Sequence, residues 1–552
     1  MVSAAENARK QTHRSTAPGW QRAAVLAIAI WLVYRITWIA ARPAVLGTDP
    51  YVRMFNREEI VTGLFGRKWL PFLQTFIKGI FDFGGTADDV QVFMAVLGTG
   101  LIAAAGYYLY RTAGLVPGLL FAVLLSTNFN VMWINASPYQ ETPFYLFAFV
   151  VLWRLRRISE RRDASPAASA LALLPWVALA LLCRYEGFLL SISVGVAIAV
   201  HWWRDRGLRK LRYPIGLFVV FAALPMTALL LYTGLEDDRH SAFTRGIQLE
   251  QVRTAIVSLW DYLAQPGILF WIAVGLVPFF TRDRERPWPP DHIAAALYVP
   301  SFALVFLILS PFVPVTNSRF HVPLALAILA CASAGAPMLA RALWRELTPQ
   351  RGRILTALLL VVFVAHAVEV WTRMSDSMAK RSVNKERDAV IGRVVDARIA
   401  SPTPVLFAWE RGEFDVYPST FNMKIAAYVR GPTARIQFRE DYEALDTEGR
   451  RLWIGEAGGM LLKRNEIETR QILDLLRTAR EVHGDELLAT QLPLEVDLVT
   501  WNARPTGEGA LYPSRPFLVS EIFRRAAQSP ASDSNAVPSQ RSIDDAPVVT
   551  FQ

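Results

Sequence analysis

Residues 166–203 read PAASALALLPWVALALLCRYEGFLLSISVGVAIAVHWW, a 38-residue apolar run broken once, at Arg184-Tyr185-Glu186-Gly187. Arginine clusters bracket it: Arg154, Arg156, Arg157, Arg161 and Arg162 before, Arg204, Arg206, Arg209, Lys210 and Arg212 after. Short loops this basic stay on the cytoplasmic face, so the chain between them crosses the bilayer an even number of times. A crossing helix takes about 20 residues, so the run has room for two. Arg184 and Glu186 then fall at an outer turn. Opposite charges kept at a membrane boundary, where plain polar spacers would make the turn, point to a function. A snorkelling arginine with its ion-pair partner is the structural alternative.

The rest of the chain has the same character. Its 552 residues are 53% hydrophobic, with a mean hydropathy of +0.26, and the apolar residues come in runs. These predict a polytopic α-helical membrane protein with about 11 spans. The spans are expected near Arg22–Ala41, Val90–Tyr110, Leu115–Ile134, Pro143–Leu155, Ala167–Cys183, Phe188–Trp203, Tyr213–Gly234, Gly267–Thr281, Ile293–Pro311, Phe320–Leu339 and Ile354–Trp371. Residues 1–21 form a cytoplasmic tail: Arg9, Lys10, Arg14 and Arg22 precede the first span, which has no small-residue cleavage site and reads as a retained anchor. Loops with Arg282, Arg284 and Arg286, and with Arg341, Arg345, Arg351 and Arg353, fall inside. Asn135–Thr142 has no lysine or arginine and falls outside, as does everything after Trp371. The net charge of +10 and pI near 9.6 thus follow from topology and do not call for a nucleic-acid partner. Both cysteines, Cys183 and Cys331, lie in expected spans, so the tail has none for a disulfide and nothing suggests a zinc or haem site.

Three outer segments are more than connectors. Residues 42–89 alternate charge with helical apolar patterning, including Val52, Phe55, Trp69, Phe72, Phe76 and Ile80, as interfacial helices do. Residues 235–266 repeat that character around Ile247–Leu263. Residues 372–528 drop to the hydropathy of a soluble domain. Strands are expected at Val405–Trp409, Arg451–Ile454 and Phe517–Phe523 and a helix at Ile467–Val482, hence a C-terminal soluble α/β domain. Residues 529–552 are rich in Ser, Asp, Pro and Gln and read as disordered.

Polar groups gather where the spans meet the outer face. Asp49 stands early in the first outer loop, Glu141 at the start of the fourth span, Arg184 and Glu186 at the third outer turn, and Arg319 and His321 at the start of the tenth span. Guanidinium groups match phosphate oxygens and a carboxylate can remove a hydroxyl proton, so this set suits a reaction between a lipid phosphate and a hydroxyl acceptor. Each also has a plainer explanation. Asp before Pro is a common helix start, Glu in a first turn complements the helix dipole, and Arg at headgroup level anchors a helix.

The order of these residues resembles the glycosyltransferase C (GT-C) superfamily, membrane enzymes that use polyprenyl-phosphate sugars. Its marks are an acid early in a long first outer loop, an acid at the outer start of the fourth span, an RxEG turn after the fifth, and R-[FY]-x-x-P opening a late span. Here they read TDPYVR with Asp49, QETPFYLFAF with Glu141, CRYEGFLL with Arg184 and Glu186, and SRFHVPLALAIL with Arg319. The resemblance covers residues 22–371, and it implies a polyprenyl-phosphate sugar donor, a glycan, lipid or protein acceptor, and a site on the periplasmic or extracellular side of the plasma (inner) membrane. It implies Asp49 as general base, with Glu141, the second carboxylate of the catalytic pair, and Glu186 positioning the acceptor, orienting the arginines or sharing a divalent ion. Arg53, Tyr139, Arg184, Glu186, Arg319 and His321 would bind substrate. It also implies inversion at the sugar carbon, whether hexosyl or pentosyl. Metal dependence varies across the superfamily, so a divalent ion (Mg2+ or Mn2+) at Asp49 and Glu141 stays open. Two departures limit the transfer. Asp49 is followed by Pro50 and Tyr51 instead of a second acid, closer to the DPY of oligosaccharyltransferase catalytic subunits, and the WWD motif of those subunits is missing. The similar string at His201–Asp205 falls on the cytoplasmic side. A transporter or flippase of lipid-linked sugars and a non-catalytic membrane scaffold are the competing classes. A transporter would place its charges near the midplane on broken helices.

Overall fold

The computed structural model of the chain describes residues 48–57, 71–160, 166–184, 186–206, 249–264, 266–281, 288–309, 321–346, 387–409, 420–432, 435–463, 470–484, 487–501 and 516–518, with single positions at 350, 354, 361 and 372. The spans expected at Arg22–Ala41 and Tyr213–Gly234, nearly all of that at Ile354–Trp371, Arg319, and the tail beyond residue 518 lie outside these residues. The chain divides into two compact units, one of residues 1–392 with 412–433, the other of residues 393–411 with 434–552.

The first unit begins with α1 (Thr48–Phe55) and α2 (Pro71–Asp82). Then follow α3 (Ala87–Ala113), α4 (Leu115–Thr127), α5 (Phe129–Ala136), α6 (Glu141–Glu160), α7 (Pro166–Cys183) and α8 (Gly187–Arg206). The series continues with α9 (Leu249–Leu263), α10 (Pro266–Thr281), α11 (Pro290–Leu309) and α12 (Val322–Glu346). Among the described residues, four helices are long and apolar enough to cross a membrane: Ala87–Ala113, Gly187–Arg204, Pro290–Ile308 and Val322–Ala342. The pair Leu249–Leu263 and Gly267–Phe280, bent by 72°, would make a fifth span. Helices of this kind make the chain an integral membrane protein.

Local chemistry sets the helix limits. Asp89 accepts the backbone N–H of Thr86 at 2.7 Å to start α3, and Gly114, at φ 107, ends α3 and begins α4. The single span expected at Leu115–Ile134 is two helices. Asn128 adopts an extended backbone and its side-chain oxygen caps Val131 at 3.2 Å, so the apolar run is cut between α4 and α5. The bundle packs α3 on α4 and α6, α6 on α7, α8 on α11, and α10 on α12. Glycines allow the close crossings: a Cβ on Gly118 would sit 2.7 Å from the Gly106 carbonyl, and one on Gly335 would sit 2.1 Å from the Val274 carbonyl. Where α3 and α6 end and α11 begins, Tyr108 donates to the buried Asp291 at 2.9 Å, with Arg156 3.8 Å from the same carboxylate.

Among its described residues the second unit holds a six-stranded mixed sheet in the order β2-β1-β3-β5-β4-β6. The strands are β1 (Val405–Phe407), β2 (Ile436–Phe438), β3 (Gly459–Lys463), β4 (Leu488–Gln491), β5 (Val496–Thr500) and β6 (Pro516–Leu518). β1 pairs in parallel with β2 and β3, while the other pairings are antiparallel. The amphipathic helix Arg470–His483 buries Ile472, Leu475, Leu476 and Ala479 in this unit's core. The strand expected at Arg451–Ile454 is instead part of a helix, Thr447–Glu456. Asp446 caps it through Gly449 N at 2.7 Å, and its rotation buries Ile454 while leaving Leu452 67% exposed.

Candidate functional site

The Arg184 turn is built by a glycine. The Arg184 backbone N–H donates to Ala180 at 3.2 Å and Gly187 N–H returns to the Arg184 carbonyl at 3.0 Å, folding the chain back over the last turn of α7. A Cβ on Gly187 would lie 2.8 Å from the Leu181 Cα, so only glycine lets α8 leave so close to α7. Glu186 then opens α8, its carbonyl accepting from Leu190 at 3.3 Å.

Within this turn Arg184 grips Glu186 with two parallel bonds, Nε to Oε2 at 2.9 Å and Nη2 to Oε1. Its third nitrogen, Nη1, pairs with Glu141 Oε1. One guanidinium therefore lies between two carboxylates. Glu141 is the first residue of α6 and is 1% exposed. Its position is fixed by the strongly buried connection from α5: Thr142 Oγ1 donates to the Ile134 carbonyl at 2.8 Å and meets Asn135 Oδ1 at 3.0 Å. Ser137, Tyr139, Gln140 and Thr142 are likewise buried. A charged pair taken this far from water needs near-ideal geometry and further polar partners to offset desolvation. Two buried tyrosines lie in the same region: Tyr145, one turn along α6 from Glu141, and Tyr298 of α11, which packs on Phe144 of α6.

The structure thus brings together three of the residues singled out from the sequence: Glu141, Arg184 and Glu186. Tyr139 is buried, 1% exposed, two residues before Glu141. Asp49 is the second residue of α1, and its side chain lies outside the described residues, as does Arg319. Arg53, one helical turn beyond Asp49, is buried, and Gln74 of α2 donates to its carbonyl at 2.8 Å. His321 stands just before α12 and is turned to α9: its ring stacks on Tyr262 with centroids 4.9 Å apart, and Nε2 lies 3.5 Å from Ser258 Oγ. Two site residues escaped the sequence reading. Tyr145 carries a usable signal, since it sits four residues after Glu141 and hence on the same helix face. Tyr298 carries none, because only the packing of α11 on its neighbours brings it near.

Among the described residues no three of His, Cys, Asp and Glu come together to hold a metal ion. Glu141 and Glu186 are both committed to the Arg184 guanidinium, so a cation at Glu141 would have to compete with that partner.

Among the solved structures similar to this chain are two of one protein. One is ArnT from Cupriavidus metallidurans bound to undecaprenyl phosphate, at 14% identity and a TM-score of 0.53, covering 90% of this chain and 100% of that one. The other is ArnT from the same organism in the apo state, at 15% identity and a TM-score of 0.50, covering 88% and 98%. No protein-family model and no curated protein matches the chain. At these identities the likeness shows the fold alone.

Proposed function

We propose that this chain, having the GT-C fold, is an integral-membrane glycosyltransferase that moves a sugar from a polyprenyl-phosphate donor to a hydroxyl-bearing acceptor at the outer face of the membrane. The observation that carries the reading is the Arg184 guanidinium held between Glu141 and Glu186 at the helix ends. The likeness to a protein crystallised with undecaprenyl phosphate supports a lipid-linked donor.

A departing polyprenyl phosphate needs no strong acid, so the protein's part is to orient the acceptor, take its proton and offset growing phosphate charge. Arg184 keeps Nη hydrogens beyond those on its two carboxylates, and these face a phosphate oxygen in the bound state. A guanidinium flanked by two carboxylates carries a local charge of about −1, so it does not draw in an anion unaided. A second cation is required, and Arg319 is assigned that role. Asp49 takes the acceptor proton. Glu141 and Glu186 hold Arg184 in the plane that phosphate recognition demands. A single displacement with no covalent intermediate inverts the sugar carbon.

Incubating the purified protein with radiolabelled polyprenyl-phosphate sugars and candidate acceptors tests the reading. Wild type should transfer label, and Asp49→Asn should lose about 100-fold or more in turnover. Near-normal turnover in that variant would remove Asp49 from the mechanism, and no transfer from any such donor would remove the proposed function.

A further inference from the structure

The helix that carries Asp49 is too short to place itself. α1 has eight residues, well under the roughly 12–15 at which an isolated helix becomes even marginal, so its position must come from what packs on it. Part of that packing is local: Gln74 of α2 donates to the carbonyls of Arg53 and Asn56 at 2.8 and 3.0 Å. The rest comes from far along the chain. Residues 412–433 belong to the same compact unit as the membrane helices, although the hydropathy profile puts them in the tail. The helix Thr420–Ala426 packs on α1, and one apolar cluster joins Tyr51, Met54, Leu73, Ile77 and Phe81 to Ala389, Met423, Ala427 and Tyr428.

Polar contacts pin the same seam. Arg57 is 1% exposed; it donates to the Met54 carbonyl at 2.9 Å and to the Gly431 carbonyl, with its guanidinium 4.2 Å from the Phe81 ring centre. Ala87, the first residue of α3, donates its backbone N–H to Ala427 at 3.1 Å. At the centre, Tyr51 and Tyr428 are both buried in this apolar cluster. Tyr428 has no room to retreat, because a Cβ on Gly392 would lie 2.5 Å from its own Cβ.

We propose that residues 420–431 are a working part of the catalytic unit and that Tyr428 is a positioning residue which, through Tyr51, fixes the helix bearing Asp49 and Arg53. This rests on the sugar-transfer reading for its effect on turnover and stands apart from it for the placement of α1. Tyr51 is two residues from both Asp49 and Arg53, so a shift of its ring displaces the proton acceptor. Such a shift costs rate more than donor affinity.

Two measurements on the full chain in lipid nanodiscs test the proposal. In Tyr428→Ala, amide exchange over residues 50–57 should speed by about tenfold or more while that of residues 98–110 in α3 stays unchanged. The same variant should lose about tenfold in kcat with the donor KM held within about twofold, and Tyr428→Phe, which keeps the ring, should recover most of both effects. Tyr51→Phe combined with Tyr428→Phe should be no worse than either alone. Unchanged exchange over 50–57, equal loosening of α3, or a loss confined to the donor KM would overturn the proposal. A wild type that transfers no sugar would remove the proposed function, and the exchange result would still decide whether Tyr428 places α1.

Discussion

Arg184 and Glu141 form an ion pair across a sequence gap that contains all of α6, the basic stretch after it and α7. Neither charge has enough water to stand without the other, since Glu141 is almost fully buried and the Arg184 side chain is 14% exposed. Removing one partner of a buried pair leaves the second uncompensated, so Glu141→Ala should destabilise the fold by about 3 kcal/mol. Thermal unfolding in detergent, run as a cycle with Arg184→Ala, should show a coupling of at least about 1 kcal/mol. Additive losses would mean that the pair is geometric only.

Gly187→Ala should be as damaging as losing a charge. The new methyl would meet the Leu181 backbone at 2.8 Å with nothing flexible to give way, an overpacking that costs about 1–3 kcal/mol. The turn would open and separate the bonds between Arg184 and Glu186. A variant with wild-type melting temperature and wild-type transfer would show that the turn tolerates a wider path.

Tyr298→Phe removes a hydroxyl beside the ion cluster while keeping the ring that packs on Phe144 and Phe302. The melting temperature should hold, and kcat/KM for sugar transfer should fall by about tenfold. A loss of stability without a change in kcat/KM would assign the hydroxyl to packing alone.

What the sequence disclosed and what it hid divide along the range of the contacts. The turn at 184–187 was legible because opposite charges and a glycine interrupt an otherwise apolar run between two basic loops. The helices at 48–55 and 71–82 were legible from their periodic aromatics. Asn128 hid its break because one capping residue is a faint signal inside twenty apolar positions. Arg451–Ile454 looked like a strand until the Asp446 cap set a helical register. Two features left no trace in hydropathy at all: the pairing of Glu141 with Arg184, and the return of residues 420–431 to the helix at 48–55. Both are made by side chains that meet only after the bundle has formed.

Asp388 gives the fold a pH signature. Burial pushes its carboxyl up to about 6, against the pull of Lys424 at 3.9 Å. Its ordinary value is near 3.8, so between about pH 4 and 6 the folded chain holds more protons than the unfolded one. This group's contribution is therefore fully present at pH 4 and is lost as the pH rises through 6. Asp388→Asn should be more stable than wild type at pH 7.5 and indistinguishable from it near pH 4, as read by unfolding at a series of pH values. A difference that grows toward acid would reverse the assignment.

The missing side chain at Gly335 has a mechanical consequence. With the Val274 carbonyl filling the space a methyl would take, α10 and α12 are in backbone contact and cannot slide past one another without losing it. The two helices behave as one stiff plank within the bilayer. Any opening between the helices must therefore form along some other seam of the bundle, with this plank as its fixed jamb.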